Sequence, residues 1–318
     1  MPPSFKKVLG IGYSEGDLPK EHWDRMKRLA SNIVMLPKDS PMIPKELTAT
    51  DCLLVKLGAT VDRTMMDMAP ELRYIGMLGT GYGRIDTKYA ATKKIAVCNI
   101  AGYSTEAVAE LVFAVLLEHA REVERARRQA REGNYSEAGF TGHDLRGKAL
   151  GIVGLGRIGS RVAEIGSNGF QMDVRYWSRT HKKNYEKMGV KYQDLETLLK
   201  SSDFVSLHLA FNDETKNFLD EKRINLIKSG TVVVNLAPME LVDTSALERR
   251  LERGDIVFIL DHSDELSEAQ AKQLAKYSNC IMYPPIGYTT VESTLAKQTV
   301  FLDNIENFLR GRPTNKVN

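Results

Sequence analysis

Three glycines stand where a chain could grip a phosphate. Residues 148–163 read KALGIVGLGRIGSRVA: an apolar stretch suited to a strand, then Gly154, Gly156 and Gly159, then a helix-forming run. In such a GxGxxG turn the first glycine permits the sharp bend and the second lets backbone approach a pyrophosphate. The third allows close packing of helix on strand, and the helix N-terminus presents free amide N–H groups to the anion. The chemistry implied is dinucleotide binding, with Gly154, Gly156, Arg157, Ile158 and Gly159 as the contact residues. A lone GxGxxG is a weak signal, but a strand before it and a helix after it are the required flanks.

The end of the next strand decides which dinucleotide fits. A free ribose 2′-hydroxyl is usually met by an Asp or Glu about 20 residues further on, whereas this chain has Trp177-Ser178-Arg179-Thr180 and no carboxylate. Arg179, helped by the hydroxyls of Ser178 and Thr180, suits a 2′-phosphate, because a guanidinium matches phosphate oxygens. The expected cofactor is therefore NADP, with NAD as the alternative.

These residues need elements to position them. Short β-rich runs at 8–12, 32–36, 52–55, 74–78 and 95–98 alternate with helical patterns such as 21–30, as βαβ units do. A stretch without Gly or Pro, 105–131, predicts one long connecting helix with Ser104 as N-cap. A second series at 149–153, 174–177, 204–207, 231–234, 256–260 and 280–282 predicts a further parallel sheet of about six strands. The loop 133–147, rich in Gly, Ser and Asp, suits a hinge-side connection, and a last helix at 291–309 could return to the first domain. The fold class is thus α/β with two doubly wound parallel-sheet domains. Residues 1–100 and 290–318 form one and 101–289 the dinucleotide-binding other.

Composition narrows the partners. The 318 residues suit two domains, and 44 basic against 41 acidic residues leave a net charge of only +3, giving no electrostatic reason to expect nucleic acid or an anionic membrane. Three distant cysteines offer neither a metal site nor a disulfide framework. No run approaches the roughly 20 apolar residues of a membrane span. A cytoplasmic protein with a small-molecule substrate is the expectation.

Several blocks in order make the chain resemble the D-isomer-specific 2-hydroxyacid dehydrogenases over nearly its whole length, in the manner of glyoxylate or hydroxypyruvate reductases. They are LGTGYGRID at 78–86, NIAGY at 99–103 with VAE at 108–110, LRGK at 145–148 entering the glycine turn, SLHL at 206–209, the segment 235–247, and Leu260-Asp261. The resemblance implies a flavodoxin-like substrate domain built from both chain ends, an inserted Rossmann domain, a cleft between them, and a homodimer. It also implies that Leu209, Ala237 and Asp261 contact the cofactor, Asp261 anchoring the nicotinamide carboxamide. Lys56, Gly58, Tyr82, Tyr103 and Glu240 are then expected to line the substrate.

Where that family holds a substrate carboxylate with an Arg, this chain has Pro238-Met239-Glu240 after Asn235-Leu236-Ala237. The family's proton-donating His is replaced by Pro285 in the turn YPPIG at 283–287, and the supporting Glu by Asp264. A missing general acid typically costs about 10² to 10⁴ in rate, so the usual chemistry cannot run unchanged. The replacement candidates are His262, an imidazole able to pass a proton, with Asp264 or Asp261 as its orienter, and Tyr288 as a phenolic donor. Neighbours on an extended strand end often point apart, which weighs against such a pair. His208, inside the family's strand-end block, is read as structural, and His143 has no assigned role. Losing the Arg while carrying Glu240 and Asp264 disfavours an anionic keto acid and suits a neutral or cationic imine or amine. The expected function is an oxidoreductase with altered chemistry on a small carbonyl, imine or related substrate. The competing class is a catalytically silent NADP(H)-binding sensor or assembly protein.

Overall fold

A computed structural model describes residues 4–56 and 59–318, with Glu15 by its backbone only. The chain divides into two compact units, one reaching Tyr103 and resuming at Thr290, the other spanning Ser104–Thr289.

In the first unit, β1 (Phe5–Ile11), β2 (Ala30–Leu36), β3 (Cys52–Lys56), β4 (Tyr74–Leu78) and β5 (Ala96–Cys98) form a parallel sheet in the order β2-β1-β3-β4-β5. Its central strands read as continuous apolar runs because both faces are covered. Leu9, Leu53, Ile75 and Val97 lie in register and share one buried cluster. Val8, Cys52, Leu54 and Tyr74 point the other way, onto Phe301, Leu302 and Ile305 of the helix Val291–Leu309. The last helix therefore belongs to the first unit, as the sequence suggested. A Cβ on Gly76 would stand 2.9 Å from Leu54 and 3.3 Å from Phe301, so helix and sheet meet without room for a methyl group. The tail beyond that helix closes on β5: Val317 N–H donates to Val97 O at 2.9 Å, and Asn318 bonds both Val97 N–H and Ile95 O.

The second unit holds seven parallel strands: β6 (Ala149–Val153), β7 (Asp173–Trp177), β8 (Lys191–Tyr192), β9 (Phe204–Leu207), β10 (Val232–Asn235), β11 (Val257–Leu260) and β12 (Cys280–Met282). Their order, β12-β11-β10-β9-β6-β7-β8, reverses between β6 and β9, and the crevice at such a switch point is where open α/β sheets bind ligands.

Three expectations need correction. The second sheet has a seventh strand, β8, only two residues long and without a period to read. The helix expected over 105–131 is two helices, Thr105–Ala120 and Val123–Arg131. Buried residues end at Ala120, and Glu122 then adopts a left-handed conformation, φ 50°. Its carboxylate accepts the Thr141 N–H and the Arg125 guanidinium, which fixes the corner. Helix Thr105–Ala120 does follow Ser104, whose side chain makes no capping bond. Third, the loop 133–147 is no boundary, for it lies inside the second unit.

Candidate active site

At the glycine turn the three glycines have three different physical causes. Gly154 has φ 100°, and a Cβ there would sit 2.6 Å from the His208 carbonyl oxygen. A Cβ on Gly159 would come within 2.1 Å of the Gly154 carbonyl, so helix Arg157–Glu164 can lie this close only with glycine there. Gly156, the N-cap of that helix, would have nothing within 4 Å of its Cβ. No protein contact demands that glycine. Open space beside unsatisfied helix-terminal amides is what a pyrophosphate requires. Arg157 is exposed there and Ile158 packs against the core beneath.

Gly154 N–H donates to Trp177 O at 2.8 Å, which brings the end of β7 beside the turn. Beyond Trp177, Ser178 Oγ donates to Thr180 O at 2.6 Å, and Arg179 pairs with Glu214 at 2.9 Å, both side chains about three-quarters exposed. An ion pair so exposed stabilises by about 0–1 kcal/mol, so Arg179 can exchange Glu214 for a phosphate at little cost. Leu209, half-buried, reaches toward the turn, its Cδ2 3.0 Å from the Cβ that Gly154 lacks.

Asp261, directly after β11, is 1% exposed. Its Oδ2 accepts the Gly287 N–H at 2.9 Å, while its Oδ1 is buried without a hydrogen-bond partner. Burial raises its pKa, with His262 and the Gly287 bond opposing. An orphaned buried acceptor needs a donor, and a carboxamide N–H of a nicotinamide is such a donor. Ala237, buried at the end of β10, donates its N–H to Asn235 Oδ1 at 3.2 Å. The residues present thus fit a nicotinamide dinucleotide at both ends.

His262 follows Asp261 and opens the 3₁₀ turn Ser263–Glu265. Its Nε2 lies 3.8 Å from Asp261 Oδ1, and its Nδ1 lies 3.9 Å from Asp264 Oδ1 and 3.5 Å from Glu265 Oε1. Sequence reasoning missed Glu265. The signal was its i,i+3 spacing from His262, since a 3₁₀ turn superposes residues three apart. Glu265 Oε2 also accepts the Met239 N–H at 2.8 Å, and burial, with Glu240 beside it, raises its pKa. Glu240 itself is exposed on the turn Met239–Leu241. Tyr288 is half-buried. Burial first, then the charges of Asp264, Asp261 and Glu265, raises its phenol pKa and keeps its proton in place at neutral pH. His208 is separate from this group: Ser206 Oγ lies 2.8 Å from its Nε2, and burial pushes its pKa down to about 3. Pro285 is partly buried and carries no titratable group.

The first-unit residues form another group. Lys56 Nζ pairs with Asp17 at 2.7 Å, Tyr82 is exposed, and Tyr103 is half-buried with Lys297 Nζ 5.9 Å from its ring centroid. Gly58 lies outside the described residues. Among the described residues no His, Cys, Asp and Glu group could hold a metal ion, and no helix is long and apolar enough to cross a membrane.

A parallel sheet whose glycine turn, switch point and buried carboxylate all suit one ligand defines a nicotinamide dinucleotide-dependent oxidoreductase. The chain belongs to the D-isomer-specific 2-hydroxyacid dehydrogenase family. The profile of that family's NAD-binding domain matches residues 113–287. The glyoxylate reductase of Thermococcus litoralis is 36% identical over 294 residues, 89% of this chain and 88% of that one. That of Pyrococcus horikoshii is 32% identical over 320 residues, 98% and 92% of the two chains. Among solved structures, an acyclic imino acid reductase in complex with NADPH and D-Arg matches with a TM-score of 0.85 and 28% identity, covering 98% of this chain and all of that one. D-lactate dehydrogenase from Aquifex aeolicus, complexed with NAD and lactic acid, matches with 0.84 and 28%, covering 96% of each. Both α/β domains and an NAD(P)-dependent oxidoreductase activity follow for this chain.

Proposed function

We propose that the chain is an NADP(H)-preferring reductase of a small carbonyl or imine, in which His262 handles the proton in place of the histidine that Pro285 displaces. The observation that carries this reading is the cluster after β11: one imidazole with three carboxylate groups at 3.5 to 3.9 Å. A bound nicotinamide supplies the hydride. Glu265, its second oxygen fixed by the Met239 N–H, orients His262 Nδ1, and Asp264, half in solvent, offers a route for proton resupply. Tyr288, kept protonated by the same carboxylates, is a second donor.

The acidic surround favours a substrate that is neutral or gains positive charge, as an imine does when protonated. The imino acid reductase named above, solved with NADPH and D-Arg, supports that choice. Arg179, held only by an exposed pair, supports NADP over NAD. The remaining parts of the reading are a two-domain division near residues 100 and 290, a homodimer and a cytoplasmic location. Sedimentation of the purified chain reads the dimer directly.

Fluorescence titration with NADPH and NADH, followed by stopped-flow mixing with keto acids, aldehydes and imines, tests the proposal. Tighter NADPH binding and oxidation by imines, lost in His262→Gln, is the expected result. Preference for carboxylate-bearing ketones excludes the imine substrate. An inert nicotinamide across the whole screen makes the chain a binding protein that senses the cofactor.

A further inference from the structure

The amino end of the second sheet, opposite the glycine turn, carries an open pocket of about 440 Å³. Residues 143–146, which lead into β6, form one side, and residues 169–171, which lead into β7, form another. Helix Thr105–Ala120 supplies Leu117 and, just past its end, Arg121. Backbone bonds tie these three segments together. His143 N–H donates to Ala120 O at 2.8 Å, and Gly147 N–H donates to Gln171 O at 3.0 Å. Gln171 accepts that bond from a left-handed conformation, φ 53°, which a residue other than glycine keeps only where its surroundings fix it. The pocket is therefore built into the fold.

Its lining combines two chemistries. Phe170 stacks on the buried Phe113 with ring centroids 5.0 Å apart, which makes a rigid aromatic wall, and Leu117 adds an exposed apolar side chain. Arg121 and Arg146 bring two exposed guanidinium groups, neither of which has a hydrogen bond or ion pair among the described residues. A Cβ on Gly142 would lie 3.0 Å from Arg121 Nε and 3.4 Å from the Ala120 carbonyl oxygen, so the loop passes the Arg121 side chain without room for a methyl group. Two cations thus stand against the single carboxylate of Asp144.

We propose that this pocket is a second ligand site, for the phosphate monoester of a small aromatic molecule, with the phosphate on Arg121 and Arg146 and the ring on Phe170 and Leu117. A carboxylate offers two oxygens, which one guanidinium fork saturates, whereas a terminal phosphate offers three and can engage two forks. The volume falls within the range of about 300–1,000 Å³ usual for small-ligand pockets, and apolar walls with a few polar groups are their usual lining. The glycine turn and the His262 cluster follow their strands, while this pocket precedes them. It goes beyond the reductase reading and needs no turnover to be seen.

The test is labelling of the native full chain with trace phenylglyoxal, read arginine by arginine by mass spectrometry, with 1-naphthyl phosphate, 1-naphthol, inorganic phosphate or sodium chloride at equal ionic strength. At about four times its dissociation constant, the ester is expected to slow labelling of Arg121 and Arg146 by about fivefold. Exposed Arg127 and Arg312 should be unaffected. Naphthol and inorganic phosphate should protect less, since each lacks half of the ligand. Equal labelling in ester and chloride overturns the proposal, as does equal protection by naphthol or by inorganic phosphate. Protection confined to Arg179 puts the phosphate in the dinucleotide site and overturns it too. In calorimetry, Arg146→Gln should weaken binding of the ester about 10-fold or more with thermal stability retained, as expected for a charge-assisted bond. An unchanged affinity also overturns it. Failure here leaves NADPH oxidation by imines untouched, so the two proposals fall separately.

Discussion

At the carboxyl end of the first sheet, Lys56 pairs with Asp17 at 2.7 Å, and Lys297 lies within the field of both. At the same end of the second sheet, one imidazole, His262, has Asp261, Asp264 and Glu265 around it. Both ends are built alike, from parallel strands delivering loops to a switch point. The architecture sets where a ligand goes, and a few side chains on those loops set which charge it carries. The second unit offers a dinucleotide chiefly backbone and buried polar atoms, whereas the first has long flexible cations.

The comparison breaks most readily at the histidines. His208 should contribute no charge to the second unit: burial pushes its pKa from 6.5 to about 3. In the unfolded chain it protonates near 6.5. Its contribution to stability is therefore intact above that pH and is lost as pH falls toward 3. By pH 4 the loss is on the order of 3 kcal/mol. Urea midpoints should fall with acid less steeply in His208→Gln than in the natural chain. Equal slopes would mean that His208 is not kept neutral.

The backbone character of the dinucleotide site is sharpened by Gly156→Val. Nothing stands within 4 Å of that Cβ, so thermal stability should hold, while NADPH affinity falls by about 100-fold as the pyrophosphate space fills. Equilibrium binding and calorimetric melting together read both halves. A parallel loss of stability would place the effect in folding.

Glu265→Gln keeps the shape of the acidic end but removes one charge. Turnover should fall roughly 10-fold to 100-fold, with a shifted pH profile, if Glu265 orients His262. An unshifted profile would leave Glu265 with only its bond to Met239. The smallest effect is expected from Arg179→Ala, with NADPH binding about 10-fold weaker and NADH unchanged, because the lost phosphate bond is partly offset by water. Comparable titrations of the two nucleotides decide it.

The glycine turn was legible because backbone geometry dictates residue type there: Gly154 and Gly159 admit no Cβ. Apolar strands were legible because both sheet faces are buried. Side-chain sites were less so. Glu265 and Gln298 look like ordinary polar residues in the sequence, and only a 3₁₀ turn and a helix packed on a sheet bring them to His262 and Asp17. The corner at Glu122 was hidden for a similar reason: a glutamate in a left-handed conformation carries no compositional mark, and its partner Thr141 is 19 residues away.

The pairing of residues 316–318 with β5 bears on how the protein is made. Val97 meets Val317 and Asn318 across more than 200 residues of chain, with the whole second unit synthesised in between. Contacts so distant in sequence form late, and domains emerging from the ribosome fold as units. The second unit can therefore complete itself while the first waits with its β4 and β5 surfaces bare. That interval is when a chaperone would be needed, and a nascent chain stalled before residue 290 should bind one most strongly.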